Sequence, residues 1–367
     1  MGAMGAMPAM TEAVLLPLLR EPTRLAALPL AGWDGLLRQA RASNLIGRLA
    51  LAAPDGTPAP VQPHLLAARR LVEHQRHAIR WECKHLSEAL DGLRLPVVLL
   101  KGGAYALADQ PAARGRLFGD IDLLVPRSML GPVEAALMAR GWTSGGTEAY
   151  DQRYYRQWMH ELPPMVNHRR GTVVDVHHNL LPLTARRVPL AERLLADSLP
   201  IADTPFRRLG ACDQVLHCAT HLFHEGELRN GLRDLFDLQA LLQEHSAAQP
   251  DFWPALAARA QLHGLEWPLL LGLRYCERLL GQTVPAGLQE ELQAQAGWSS
   301  ARLAWMDGLY LGLLQAPLPS QWQWREHLAA ATLYLRAHAL RMPPWLLARH
   351  LARKAVLRVF KHSSRAP

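Results

Sequence analysis

The sequence predicts an α+β fold: a small mixed sheet with its own helices, flanked in the chain by an N-terminal and a C-terminal helical region. Three observations carry this. Apolar residues recur at helical spacing up to about residue 93 and again from about residue 206. Between them, short β-branched runs alternate with turn residues and one helical stretch. Prolines and glycines cluster where the texture changes. The expected divisions are therefore 1–93, 94–205 and 206–367.

In order along the chain, Trp33-Asp34-Gly35-Leu36-Leu37 runs into Ala40 and Leu45-Ile46 as a helical pattern. Pro54, Pro58, Pro60 and Pro63 mark a loop, after which Leu65–Leu93 resumes a long helix rich in Leu, Ala, Arg and His. Leu95–Leu100 is an apolar run that stops before Gly102-Gly103, which predicts a buried strand, a turn, and a short helix over Ala104–Ala108. Asp120–Val125 is a second strand, ended by Pro126. Ser128 is placed to cap a helix over Met129–Arg140, with Gly141 as its stop. Weaker strand patterns fall at Arg153–Trp158 and Leu162–Asn167, and a clear one at Thr172–His177 follows the Gly171 turn. From Cys212 the chain is helical again, cut by Pro250, Pro285, Pro317–Pro319 and Pro343-Pro344.

Of 367 residues 49% are apolar, enough for a substantial core, which excludes a disordered chain. Lys+Arg number 40 against 32 Asp+Glu, a net +8 that permits nucleotides, nucleic acid or a membrane surface as partners and selects none. Cys83, Cys212, Cys218 and Cys276 form no CxxC pair, which argues against a disulfide scaffold or a thiolate zinc site and fits a reducing, cytoplasmic setting. No basic stretch precedes the first short apolar run, so no signal peptide is expected. No transmembrane segment is expected either, because Leu265–Leu280 is interrupted by Glu266, Arg274 and Glu277.

Asp120 and Asp122 stand two apart on a predicted strand, so their side chains share a face while Ile121 and Leu123 point to a core. Two adjacent carboxylates repel unless a positive charge lies between them. A hard divalent cation with substrate phosphates resolves this; a solvated strand edge is the plainer alternative. Asp175 lies in an apolar strand, facing away from Val174 and Val176 together with Val173 and His177. It reads as a third metal ligand or as a hydrogen-bonded structural acid. Gly102 and Gly103, at a strand-to-helix turn, let backbone N–H groups approach a phosphate at a helix N-terminus.

Leu100-Lys101-Gly102-Gly103, Arg116-Leu117-Phe118-Gly119-Asp120-Ile121-Asp122 and Val174-Asp175-Val176-His177 resemble the glycine, Asp-x-Asp and third acidic motifs of polymerase-β-like nucleotidyltransferases. The likeness is nearest to a largely uncharacterised bacterial family with flanking helical regions. It takes in the Trp33–Leu37 helix and the stretch containing His217, His221 and Asp234-Leu235-Phe236-Asp237-Leu238, and an Arg precedes the Asp pair there too. One departure is a longer span between the glycine turn and the Asp pair. The resemblance implies that Asp120, Asp122 and Asp175 hold Mg²⁺ or Mn²⁺ with an NTP, and that Asp175 is the candidate general base. It implies that Gly102 and Gly103 meet the β- and γ-phosphates, with Lys101 and Arg116 as phosphate partners. An ion pair from Arg116 to one of the aspartates is the alternative. The acceptor, a small molecule, sugar, peptide or protein, has no readable motif, and a sugar nucleotide could replace the NTP as donor.

His217, His221 and His224 share a helix face with Asp213, which allows a zinc site, a substrate-lining face that includes His177, His217 and His221, or plain packing. From Arg325 the chain is basic, with Arg336, Arg341, Arg349, Arg353, Lys354, Arg358, Lys361 and Arg365 interleaved with apolar residues. That pattern suits a packed amphipathic helix, or a grip on RNA, an acidic peptide or a membrane surface. Two rivals to catalysis follow: a non-catalytic binding module on the same fold, and an RNA-directed transferase or binder.

Overall fold

The computed structural model describes residues 15–144, 152, 155–156, 158–315 and 318–341. Four helices come first: α1 (Leu15–Arg20), α2 (Leu30–Ala42), α3 (Ile46–Ala52) and α4 (Gln62–Leu90). In α2 the buried positions Trp33, Leu36, Leu37 and Ala40 follow i, i+3, i+4, i+7, so one stripe enters the core and the rest is solvated. Each such large side chain contributes about 1.5–3 kcal/mol on burial.

Among the described residues the sheet has seven strands in the order β3-β4-β5-β2-β1-β7-β6. These are β1 (Val98–Leu99), β2 (Ile121–Leu124), β3 (Trp142–Ser144), β4 (Met165–Asn167), β5 (Val173–His177), β6 (Leu199–Pro200) and β7 (Arg207–Arg208). β2 and β5 are central and parallel, as are β1 and β7; the other pairs are antiparallel. Apolar clusters pack on both faces of the centre, broken on one face by Asp122 and Asp175. Ile121, Leu123, Val174 and Val176 belong to a core that also takes in residues from Leu15 to Leu333. Leu124 joins Val98, Leu100, Leu180, Leu194 and Leu209 in a smaller cluster. Burial on both faces explains why these strands read as nearly continuous apolar runs.

Helices α5 (Lys101–Leu107), α6 (Leu130–Ala139) and α7 (Ala191–Ala196) accompany the sheet. The last region comprises α8 (Ala211–His224), α9 (Gly231–Ala248), α10 (Phe252–His263), α11 (Glu266–Leu280), α12 (Leu288–Gln295), α13 (Ser300–Gln315) and α14 (Trp324–Arg341). The anticipated breaks at Pro250 and Pro285 fall between helices. No helix among the described residues is long and apolar enough to cross a membrane.

Three local expectations need correction. The described residues of the segment read as a strand at Arg153–Trp158, namely Tyr155, Arg156 and Trp158, are helical, and Arg156 pairs with Glu134 of α6. Ser128 does not cap α6: a 3-10 turn over Arg127–Met129 precedes that helix, and no side-chain cap bond is made. Gly102 and Gly103 do not form a turn ahead of a helix but lie in its first turn, because Lys101 takes up the change of direction with φ 40°. The basic run from Arg349 to Arg365 lies outside the described residues.

Candidate active site

Parallel pairing of β2 with β5 sets Asp122 directly opposite Asp175. Paired residues of neighbouring strands point to the same face, so the two carboxylates are neighbours. Asp120, just before β2, completes the group: one oxygen from each of the three lies within 4.8 Å of the others. Their environments differ. Asp120 is exposed, Asp175 half-buried, and Asp122 buried.

Around Asp122 the protein supplies a partner for each carboxylate oxygen. Lys101 Nζ lies 3.9 Å from Oδ2, and His177 Nε2 donates to Oδ1 at 3.1 Å. Burial pushes this carboxyl up, but Lys101 and the His177 hydrogen bond together outweigh it and hold the group well below the usual carboxylate range. Asp175 has no such support. Burial, then the charges of Asp122 and Glu161, push it up to about 7. Its Oδ1 is buried without a hydrogen-bond partner. An orphaned carboxylate oxygen facing a second carboxylate costs stability unless a cation enters, and an all-oxygen donor set suits a hard divalent ion such as Mg²⁺ or Mn²⁺.

Asp120 and Asp122 open onto a cleft of about 540 Å³ between the sheet and the helices that follow it, while Asp175 stands behind them and is not part of its lining. Of the expected residues, Lys101, Gly102, Arg116, Asp120, Asp122 and His221 line it. The opposite wall is polar: Glu225, Glu227, Arg229, Arg233 and Asp234. There His221 Nδ1 is 3.4 Å from Asp234, which Arg233 also pairs at 2.6 Å. A larger cavity of about 730 Å³, beside Arg80, Lys84, Asp109 and Arg208, lacks a cluster of carboxylates among its lining residues.

Arg116 is the most constrained of the lining groups. Its buried guanidinium donates from Nε to Asp237 Oδ2 at 2.7 Å, and Arg48 Nη2 donates to the other oxygen of Asp237 at 2.7 Å. The carboxylate it pairs with is therefore Asp237 on α9, and neither Asp120 nor Asp122. The guanidinium also packs on Phe118 and Tyr105. Gly102 exists to admit it: a Cβ there would lie 2.4 Å from Arg116 Nη1. Gly103 is different, buried against Leu99 and Ile121 with room for a methyl at 3.6 Å. The long span to the Asp pair also has a role. Gly115, at φ +66, passes so close to the Gly47–Arg48 backbone that a Cβ would stand 2.7 Å from Arg48 N, which seats the loop against α3.

The helix-face histidines do not converge. His217 is buried, and burial with Lys101 nearby drives its imidazole well below the ordinary value. His224 accepts no ligand geometry with it: its Nδ1 meets the Thr220 carbonyl at 3.0 Å and its ring packs on Trp267. Asp213 pairs with Arg259 at 2.7 Å. Neither of the two groups that could hold an ion among the described residues contains these histidines.

Sequence reasoning missed Glu161, whose carboxylate is 3.3 Å from His177 Nδ1, and gave Asp237 no role beyond its place in the Asp234–Leu238 helical stretch. The second was detectable: an acid inside Leu235-Phe236-Asp237-Leu238 raises the question that Asp175 raised in its strand. A family model described as an uncharacterised nucleotidyltransferase matches residues 29–281, a stretch that contains every cleft residue named above. No curated protein and no solved structure matches the chain.

Proposed function

The chain belongs to this nucleotidyltransferase family, whose model spans well over half of it, and is accordingly a transferase enzyme. From that premise we propose that it moves a nucleoside monophosphate from an NTP to a hydroxyl or phosphate group of a small molecule, sugar, peptide or protein. One observation carries the reading: Asp120, Asp122 and Asp175 converge within 4.8 Å, and one buried oxygen of Asp175 has no partner.

Asp120, Asp122 and Asp175 would hold Mg²⁺ or Mn²⁺. Such ions, when bound, lower the pKa of an attacking hydroxyl and stabilise a departing pyrophosphate. The other roles belong to the chain. Lys101 orients the buried Asp122 carboxylate and offers its ammonium to a β- or γ-phosphate. Gly102, whose Cβ side is filled by Arg116, would offer only its backbone N–H to a phosphate. Arg229, across the cleft, makes no ion pair among the described residues and can meet the same phosphates. Arg116, locked to Asp237, anchors the loop that carries Asp120, so any phosphate contact uses the N–H groups that Asp237 leaves unused. Asp175 would serve as the general base that takes the acceptor proton.

The acceptor enters from the α8–α9 side. An apolar groove of about 550 Å³, with Leu313, Trp322, Leu333 and Tyr334 in its walls, shares Glu227 and Arg229 with the cleft and could seat an apolar part of it. The described chain has four unpaired cysteines, in keeping with a cytoplasmic setting. Calorimetric titration of each NTP with Mg²⁺ or Mn²⁺ tests the reading. Metal-dependent binding to the wild type that disappears in Asp120→Asn/Asp122→Asn supports it, and binding unchanged by the double substitution refutes it.

A further inference from the structure

Beside the acidic trio stands a second group of different chemistry. His160, Glu161 and His177 each offer a ligand atom, and those atoms all lie within 4.8 Å of one another. The backbone holds them there. Glu161 forms an antiparallel bridge with His177, Leu162 N donates to the Val176 carbonyl at 2.9 Å, and His178 N donates to the His160 carbonyl at 2.8 Å. Two side chains are thus fixed next to the end of β5 by an extension of the sheet, which is how a preorganised ligand set is built.

One polar atom of this group is left unsatisfied. His160 Nδ1 is buried without a hydrogen-bond partner. His177 bonds Asp122 through Nε2, while its Nδ1 faces Glu161 Oε2 at 3.3 Å. Two ligand atoms bound at about 2.0–2.1 Å to one tetrahedral ion stand about 3.3–3.4 Å apart, which is the spacing of His177 Nδ1 and Glu161 Oε2. The donor set decides the ion. Two imidazoles with one carboxylate suit zinc and its neighbours, whereas three carboxylates suit magnesium or manganese.

We propose that His160, Glu161 and His177 form a second divalent-metal site, of zinc type, joined to the acidic trio through the His177 ring. An ion on Nδ1 leaves the proton on Nε2, where it donates to Asp122. Ligating histidines commonly donate their other N–H to a carboxylate in this way, fixing ring tautomer and orientation. The ion would then hold Asp122 in place from behind without touching substrate. This site does not depend on the nucleotidyl-transfer reading, because it shares no ligand with Asp120, Asp122 and Asp175.

The experiment is a competition titration of Zn²⁺ against a chromophoric chelator, using the full chain, with Co²⁺ absorption as a second readout. Wild type, His160→Ala, His160→Gln, Glu161→Gln and Asp120→Asn/Asp175→Asn are compared, each checked for metal-free folding by circular dichroism. The expected result is one tight zinc equivalent, weakened about tenfold or more in both His160 variants and in Glu161→Gln, and kept in Asp120→Asn/Asp175→Asn. Co²⁺ should show visible ligand-field bands that vanish with His160. Zinc affinity equal in the wild type and the folded His160 variants overturns the proposal. So does a tight equivalent lost only with the acidic trio.

Discussion

Replacing Asp237 by Ala tests how the fold supports the cleft. The Arg116 side chain is 7% exposed and Asp237 2%, so deletion of the carboxylate strands a guanidinium with almost no access to water. Breaking a buried pair from one side costs about 3–5 kcal/mol. Arg48, at 16% exposure, can recover part of its hydration and adds less. At about 2 °C per kcal/mol for a chain of this size, the melting temperature should fall by about 6–10 °C. Arg48→Ala leaves the Arg116 pair in place and should cost only about 1–2 kcal/mol. Asp237→Asn, which keeps an acceptor oxygen and loses the charge, should fall between the two. Differential scanning calorimetry, with urea unfolding as a check, ranks the three. Loss of less than about 1 kcal/mol in Asp237→Ala, or an equal loss in Arg48→Ala, would refute the reasoning.

Other consequences follow from the same geometry. Gly102→Ala forces a methyl against Arg116 and should cost about 1–3 kcal/mol and weaken NTP binding, whereas Gly103→Ala, with room at 3.6 Å, should be neutral or slightly stabilising in thermal melts. Asp175→Asn removes a carboxylate that has an unpartnered oxygen and faces Asp122; in EDTA it should raise stability by about 1–3 kcal/mol, yet lose the melting-temperature gain that Mn²⁺ with an NTP gives the wild type. Burial lowers His224 to about 3 and His245 to about 4, and takes His217 well below its ordinary value. These folded values lie under the unfolded one, so the stabilisation is complete above about pH 6.5 and is lost as pH falls toward 4. Between pH 6.5 and 5 His224 and His245 should each remove about 1–2 kcal/mol, measurable by urea unfolding across that window; a flat profile would contradict their neutral burial.

The parts of the fold that were legible are those where one physical demand dominates. Alternation in Asp120–Val125 and Thr172–His177 placed both central strands and put Asp122 and Asp175 on polar faces, because Ile121, Leu123, Val174 and Val176 all enter one core. Trp33, Leu36, Leu37 and Ala40 announced α2 in the same manner. Strands of two or three residues, such as β3, β6 and β7, are too short to show a period. The segment around Tyr155 misled because a brief run of aromatic residues favours a strand locally, while Arg156 binds Glu134 across 22 residues. The convergence of the candidate site's carboxylates was legible where chemistry and spacing coincide, as in Asp-Ile-Asp. The Arg116–Asp237 pair spans 121 residues, and no local pattern encodes such a partner. The unequal burial of Asp120 and Asp122 was equally hidden, since it depends on Lys101 and His177 closing over one of the two.

The most direct test of the central claim is a crystal structure of the chain with Mn²⁺ and a non-hydrolysable NTP analogue, read at the manganese absorption edge. The account predicts anomalous density bound by Asp120, Asp122 and Asp175, with the triphosphate beside Lys101 and Gly102. Nucleotide seated in another cavity, or no manganese at the trio, would contradict it.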